Sequence, residues 1–299
     1  MVDTLNPGGK KIILNRSFKS SPDYTTISRV KFGTNSTTTY TESSTEIDNP
    51  VPIEDGTVLD DGSNTLTGSS GADNSTDNTS TFKPGAGQSD VTAQNLIKND
   101  TNATAIWTIS NLATAGTNAT ADQYTGLWIY IKDATALAKF VTSGTCLEIK
   151  LGSDSSNYYS ITYETGDLST GWNWLPIGIL NTLTETGTVS GNIDTFIIEI
   201  TTNNATDTFV AGDVVYDLLR QWEETDMYIN LSASYPLINE TEFKVDIRTL
   251  LGSSQAVGFN LDVVAFYNTD GSVLMYGLDT FDESKSDTDE FEITRTDGF

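Results

Sequence analysis

Histidine is absent from this 299-residue sequence, and cysteine occurs only once. Without an imidazole the chain has no Ser–His or Cys–His pair and no histidine ligand for zinc. The single thiol, Cys146, cannot form an intrachain disulfide, and it lies in the alternating run 145–151, where a small buried side chain is expected. The fold must therefore depend on core packing and strand pairing.

The sequence also lacks long apolar runs and is poor in basic residues. No stretch approaches the ~18 apolar residues of a membrane helix, and residues 1–18 contain no apolar signal-peptide core. With 16 basic against 41 acidic residues, the net charge is −25, which repels phosphate backbones and anionic lipid headgroups. We therefore expect no membrane span, no secretion signal and no general nucleic-acid binding.

Strand patterns dominate what is present, and they are clearest in residues 91–224. Aromatic residues make up 10% of the chain, more than disordered chains usually contain, and β-branched Thr suits half-exposed strands. Only residues 134–140 resemble a helical turn. Turn residues separate seven candidate strands, which predict an all-β chain with a two-sheet sandwich. The candidates are 105–109, 127–131, 146–151, 158–163, 172–177, 193–200 and 214–218.

Three further zones surround this sandwich. Residues 56–90 are rich in Gly, Ser and Asn, which is typical of a linker or a long surface loop. Residues 1–55 and 225–299 both read as short strands separated by turns. In the first zone the candidates are 11–14, 28–33 and 50–53; in the last they are 227–233, 242–247, 259–267, 273–278 and 290–294, with a hairpin turn at 268–271.

Three stretches of the central zone resemble carbohydrate-binding modules and related concanavalin-like jelly rolls. They are LGSDSSNYY at 151–159, LSTGWNW at 168–174 and GDVVYD at 212–217. The resemblance implies a jelly-roll β-sandwich, a fold that hosts many functions in secreted glycosidases and phage particles.

The same resemblance implies a possible structural Ca²⁺. Asp213 and Asp217 match acidic positions in the last strand of that family, and Asp100 or Asp122 would supply another oxygen. The alternative is a set of solvated or hydrogen-bonded aspartates. The sequence lacks the D-x-D-x-D-G spacing of a dedicated calcium loop.

A second resemblance involves the flanks. RVKFGTNSTT at 29–38 looks like the opening of a small phage virion domain found in tail and fibre-associated proteins, and 259–278 looks like its closing half. The sequence departs from that pattern at Asn35, where Gly is usual, and has no Pro after the threonines. The resemblance implies one smaller, discontinuous β domain with the jelly roll inserted, because each flank alone has few strands for an independent core.

Aromatic residues are the first candidates for sugar platforms, since an exposed ring stacks on a pyranose. Trp107 and Trp128 lie in strands with alternating patterns and are expected in the core rather than at a ligand site. Trp172 matches a corner residue that the resemblance places inside, and Trp174 shares its side of the strand. A glycan site remains an alternative to core packing at Tyr159, Trp174 and Trp222.

Basic residues concentrate near the N-terminus, where only Asp3 and Asp23 oppose them. They form either an arm that docks on an acidic neighbour or the polar face of a strand. Both interpretations stay open. The residues concerned are Lys10, Lys11, Arg16, Lys19, Arg29 and Lys31.

No catalytic motif is present. A glycosidase-like pair needs two acids about 5–10 Å apart in a cleft, and Glu148 and Glu199 lie on predicted strands without an aromatic-flanked motif. A polysaccharide-degrading enzyme is thus a third reading, after a non-enzyme and an adhesin for host polysaccharide.

The two resemblances imply a bacteriophage virion structural protein, and the lack of a catalytic motif favours a non-enzymatic role. It would be a capsid decoration or head-fibre protein, or a tail or fibre component, assembled in the host cytoplasm and exposed on the particle surface. Expected partners are other virion proteins and further copies of the chain, in a trimer by analogy, because sheet edges need complementary partners. A host glycan is the alternative ligand.

Overall fold

A computed structural model describes residues 4–5, 7–21, 23–34, 47, 49–83, 92–112, 114–116, 123–242, 244–268 and 275–298. Helices α1 (Pro7–Phe18) and α2 (Ala134–Leu137) are its α-helices in those ranges, and none of its described helices is long and apolar enough to cross a bilayer. The strands are β1 (Thr4–Leu5), β2 (Ile27–Gly33), β3 (Pro50–Val51), β4 (Thr57–Asp60), β5 (Thr67–Ser70), β6 (Thr76–Asn78), β7 (Ala93–Asn95), β8 (Thr104–Ile109), β9 (Gln123–Ile131), β10 (Thr145–Asp154), β11 (Asn157–Glu164), β12 (Gly171–Ile179), β13 (Thr184–Thr186), β14 (Thr195–Thr201), β15 (Val214–Glu223), β16 (Ile229–Asn230), β17 (Leu237–Asn239), β18 (Lys244–Leu251), β19 (Asn260–Asn268), β20 (Met275–Ser284) and β21 (Phe291–Gly298).

The chain divides into two compact units. The insert unit is Gly56–Glu224, and the flank unit combines Met1–Asp55 with Thr225–Phe299. Both flanks thus belong to one unit, and the inserted segment begins at residue 56 rather than at residue 91.

The described residues of the insert unit form two antiparallel sheets. Sheet I has the order β13-β11-β10-β14-β8-β5, and sheet II has the order β12-β9-β15-β7-β6, with β4 also paired to β15. One apolar cluster contains side chains of both sheets, such as Trp107 and Ile149 from sheet I and Ile129 and Tyr216 from sheet II. The all-β, sandwich-like prediction is confirmed, because alternate residues of the longer strands, such as β8, β9, β10 and β14, belong to this cluster.

The prediction of a linker at 56–90 is wrong over its described part. Strands β4, β5 and β6 lie there, and Leu59 and Leu66 belong to the insert-unit core. Some of the polar residues are buried and hydrogen-bonded: the Ser75 hydroxyl donates to Gln94 Oε1 and accepts from the Leu66 N–H. The Gly, Ser and Asn composition predicted a loop, but polar residues can also be held in strands when they are hydrogen-bonded. Residues 84–90 lie outside the described ranges.

The flank unit also contains two sheets. Sheet III has the order β1-β20-β19-β2-β16, with β3 paired to β2, and sheet IV has the order β17-β18-β21. An apolar cluster includes Val263, Ala265, Met275 and Leu278 from β19 and β20. The strands predicted around the 268–271 turn are present, whereas residues 269–271 of that turn lie outside the described residues, as do Asp122 and residues 35–38.

The prediction of a strand at 11–14 is wrong, because this segment lies within α1. Pro7 stands at the first helical position, where a missing N–H costs nothing. Gly9 and Ile12 are buried and Ile13 half-buried, while α1 contacts β20. Tertiary packing of one helix face has outweighed the β-propensity of the two isoleucines.

Candidate functional site

An aromatic layer covers the face of sheet II that points away from the core. Leu127 and Ile129 of β9 face the core, so the intervening Trp128 points to the opposite side. Trp174 of β12 lies directly across from Trp128, with ring centroids 5.4 Å apart, and its ring is 5.6 Å from that of Trp222. The prediction that Trp174 faces the core is therefore wrong, although it is buried.

A glycine makes room for this layer. A Cβ atom on Gly126 would lie 2.3 Å from Trp174 Cη2, closer than any real side chain allows. The absence of a side chain at Gly126 leaves room for the Trp174 indole, which packs against the rings of Trp128 and Trp222. This packing buries all three indoles.

The accessible aromatic surface lies at the edge of the same face. Tyr130 and Trp172 are a cross-strand pair on β9 and β12, their ring centroids are 5.3 Å apart, and both are half-buried. Trp172 was expected inside and is instead on this outer face. Of the predicted platforms, Tyr159 is 7% exposed and packs in the core, and Trp174 and Trp222 are buried in the layer.

A lysine and an aspartate lie beside the layer. Lys83 Nζ is 4.2 Å from the centroid of the Trp128 ring, and the Lys83 backbone N–H donates to Asp217 Oδ2 at 2.7 Å. Burial lowers the pKa of Lys83 to about 8, although the negative charge of Asp217 acts in the opposite direction. The ammonium is therefore costly to bury near neutral pH.

We expect Lys83→Met to change the pH dependence of stability. Between pH 8 and 10.5 the unfolded lysine holds its proton and the folded one does not, so the wild type gains stability with rising pH. The unfolding free energy of the wild type should therefore rise, relative to that of the variant, by about 3 kcal/mol between pH 7 and pH 11. Urea unfolding at both pH values measures it. A constant difference would contradict the lowered pKa.

The predicted calcium ligands do not fit a metal site. The Asp213 carboxylate is 3.3 Å from Lys132 Nζ and 3.2 Å from Lys139 Nζ, and it accepts the Val210 N–H. Burial raises the pKa of Asp213, but these hydrogen bonds and charges outweigh burial and lower it. Asp100 is exposed. Across the described ranges no group of three or more acidic or cysteine residues could hold a metal ion.

The carboxylates considered for catalysis share one lysine. Glu148 and Glu199 lie directly opposite each other on β10 and β14, and Lys150 Nζ is 3.3 Å and 2.7 Å from their oxygens. They alternate with the core residues Leu147 and Ile149, so they occupy the outer face of sheet I. The arrangement is a cross-strand ion-pair network, which stabilises a sheet.

The predicted docking arm falls into two parts. Arg29 and Lys31 belong to β2: the Arg29 guanidinium lies 3.9 Å and the Lys31 ammonium 4.7 Å from the centroid of the Tyr228 ring. These two stack on aromatic rings, and Lys31 is buried. The others are exposed, on or just after α1, with Lys19 paired to Asp23; they are Lys10, Lys11, Arg16 and Lys19.

An apolar groove in the flank unit was missed by sequence reasoning. It has a volume of about 580 Å³ and lies between α1 and β17, and its lining includes Ile12, Ile13, Ile238, Val245 and Tyr276. The signal that could have indicated it is the pair Leu237-Ile238 beside Pro236, an apolar dipeptide in a polar segment. The sequence does not show that this dipeptide borders a groove, because the other side of the groove exists only if residues 7–18 form a helix.

Comparison of the chain with protein-family models, with curated proteins and with solved structures finds no match in any of the three. The functional proposal therefore rests on the arrangement of residues and on the resemblances that the sequence shows.

Proposed function

We propose that the protein is a non-enzymatic structural component of a bacteriophage particle that works by binding neighbouring proteins. The observation that carries this proposal is the surface of α1. Leu14 and Phe18 are 59% and 83% exposed on a helix that also carries Lys10, Lys11 and Arg16 and has no acidic residue. Exposed apolar side chains contribute nothing to the chain's own core, and grouped with charges they are typical of an interface.

The resemblances of the two zones support a division of labour between the units. The flank unit, which resembles a small virion domain, would attach the chain to the particle. The insert unit would present its sheets at the particle surface. Outside α1 the chain is strongly acidic. Its negative charge attracts the basic α1 of a neighbouring copy and repels nucleic acid.

Quantitative mass spectrometry and antibody labelling of purified particles test this proposal. We expect the protein in intact particles, at hundreds of copies for a shell component or a dozen or fewer for a tail or vertex component. Particles assembled with Leu14→Ser and Phe18→Ser together should lack the chain. Val210→Ser is the matched control, since Val210 is also 59% exposed but lies in the insert unit. Absence of the wild-type chain from particles would refute the proposal.

A glycan-binding role is the second candidate, and the Tyr130–Trp172 pair favours it. Two half-buried rings 5.3 Å apart on an outer sheet face offer a stacking surface for a pyranose. Trp172 lies on β12, the edge strand of sheet II, and Tyr130 lies on the adjacent strand β9, so a chain of sugars can approach from the side.

We expect Trp172→Ala to weaken binding to a host polysaccharide at least tenfold, because it removes one of the two stacking rings. Glycan arrays and pull-downs measure this. Tyr158→Ala is the control, since Tyr158 is also a half-buried ring but belongs to sheet I. Equal binding by the wild type and by Trp172→Ala would leave only the structural role.

A further inference from the structure

Among the described residues of the flank unit, four of the five large exposed apolar side chains lie on two elements, and the fifth, Leu250, lies on β18. Leu14 and Phe18 belong to α1, whereas Leu237 and Ile238, 44% and 75% exposed, belong to β17. All three residues of β17 are exposed, and β17 is an edge strand of sheet IV. An exposed apolar edge strand is a surface that proteins usually cover.

The two elements flank the groove described above. Ile12 and Ile13 of α1 line one side, and Pro236, Ile238 and Val245 line the other. A second concavity of about 570 Å³, lined by Leu237, Ile238 and Asp246 among others, continues along β17. The apolar groove therefore meets, at Ile238, a second concavity whose other lining residues are mostly polar.

Charges on the two sides have opposite sign. The α1 side carries Lys10, Lys11 and Arg16 and has no acid between residues 7 and 18. The β17 side carries Glu240, Glu242 and Asp246, opposed by Lys244, which pairs with Glu242 at 3.1 Å. A basic helix with exposed Leu and Phe thus matches an apolar strand with acidic neighbours, in both hydrophobicity and charge.

We propose that a second copy of this chain covers the groove, with α1 of each copy lying along β17 of the other. Because α1 and β17 are neighbours on one surface, placing α1 of the second copy on β17 of the first also brings its β17 to the first α1. The contact is isologous and closes as a two-fold dimer. It deepens the proposed function by naming one protein partner, and it differs from the trimer expected by analogy.

Charge reversal of the full-length chain tests the pairing. Sedimentation equilibrium should give a dimer for the wild type. The helix variant, with Lys10→Glu, Lys11→Glu and Arg16→Glu, and the strand variant, with Glu240→Lys and Glu242→Lys, should each be monomeric, with the dimer Kd raised at least 100-fold. Each variant places like charges on both sides of the contact. All the changed residues are exposed, so circular dichroism and the melting temperature should stay near wild type.

Mixing the helix variant with the strand variant tests the pairing of α1 with β17 more specifically. In an equimolar mixture of the helix and strand variants, each α1 meets a β17 surface of opposite charge, so a heterodimer should form although neither variant dimerises alone. Phe18→Asp with Ile238→Asp should be monomeric, and Val210→Asp should dimerise like the wild type. A monomeric wild type, or reversal variants that dimerise like it, would overturn the inference.

The two proposals can fail separately. A chain present in particles yet monomeric in solution would refute the dimer alone, and a dimeric chain absent from particles would refute the particle role alone.

Discussion

Replacing Arg295 by Met is expected to lower the unfolding free energy of the flank unit by about 3–5 kcal/mol. Arg295 lies in β21 with its side chain 2% exposed, and its guanidinium contacts two carboxylates. Nε and Nη2 are 3.0 and 2.8 Å from the two oxygens of Asp297, and Nη1 is 2.9 Å from Asp279 Oδ1 on β20. The side chain therefore joins sheet IV to sheet III. Removing the cation leaves both carboxylates in a poorly hydrated place without their shared partner.

Denaturant unfolding, with hydrogen exchange in β20 and β21 as a local probe, measures this effect. Arg248→Met is the matched control: Arg248 pairs with Glu292 in the same sheet, but both side chains are more than two-fifths exposed. Water screens that pair, so the loss should be a small fraction of the Arg295 effect. Adding Asp279→Asn and Asp297→Asn to Arg295→Met should recover part of the stability, since no charge is then left alone. Equal losses for Arg295→Met and Arg248→Met would contradict the account.

The sheets of the insert unit could be predicted because their strands have one buried face. In residues 145–151, Leu147, Ile149 and Leu151 alternate with Glu148 and Lys150, and the structure places the apolar residues in the core. A shift of one residue would expose all three, so the period of two specifies both the strand and its register.

The helix α1 could not be predicted from its residues alone. The run Lys11-Ile12-Ile13-Leu14 contains two β-branched residues, which favour a strand, and the first turn has no acidic residue to indicate a helix start. Contact with β20, more than 250 residues away in sequence, decides the conformation. Local pattern carries no information about such a contact.

Strands β5 and β6 show why composition misled at 56–83. Gly68 faces Trp107 across the β5–β8 pair, and a Cβ there would lie 2.3 Å from the Asp73 carbonyl oxygen. A glycine that reads as a linker residue is here required by close approach of the main chain. The sequence does not reveal which glycines have neighbours.

The candidate aromatic site was half predictable. Strand parity correctly places Trp172 and Trp174 on one side of β12, but parity cannot say whether that side faces the core. Asn173 and Leu175 point to the inner side of β12. Asn173 is buried, and its side-chain amide donates hydrogen bonds to the main-chain carbonyls of Ile129 and Ser169. A buried asparagine beside two tryptophans reverses the usual polarity pattern, so the resemblance-based assignment placed the tryptophans on the wrong face.

Trp107→Ala is expected to destabilise the insert unit by about 3–5 kcal/mol. Trp107 is fully buried in β8, between Gly68 of β5 and Ile198 of β14, and its Nε1–H donates to the Asp73 carbonyl at 3.0 Å. Truncation opens a cavity the size of an indole in the core and leaves that carbonyl without its donor. Neighbouring strands are held in register by main-chain hydrogen bonds, so they can close only part of the space.

Two companion variants separate these contributions. Trp107→Phe keeps most of the apolar volume and removes the hydrogen bond, so about 1–2 kcal/mol should be lost. Trp172→Ala should cost less than Trp107→Ala, because Trp172 is half-buried at the edge strand β12 and its removal opens no closed cavity. The urea midpoints of the three variants measure these losses of stability, provided that the slopes of the unfolding transitions are unchanged. If Trp172→Ala were the more damaging of the two, the outer aromatic layer rather than the inter-sheet cluster would be the main source of stability, and Trp172 could not be an accessible stacking surface.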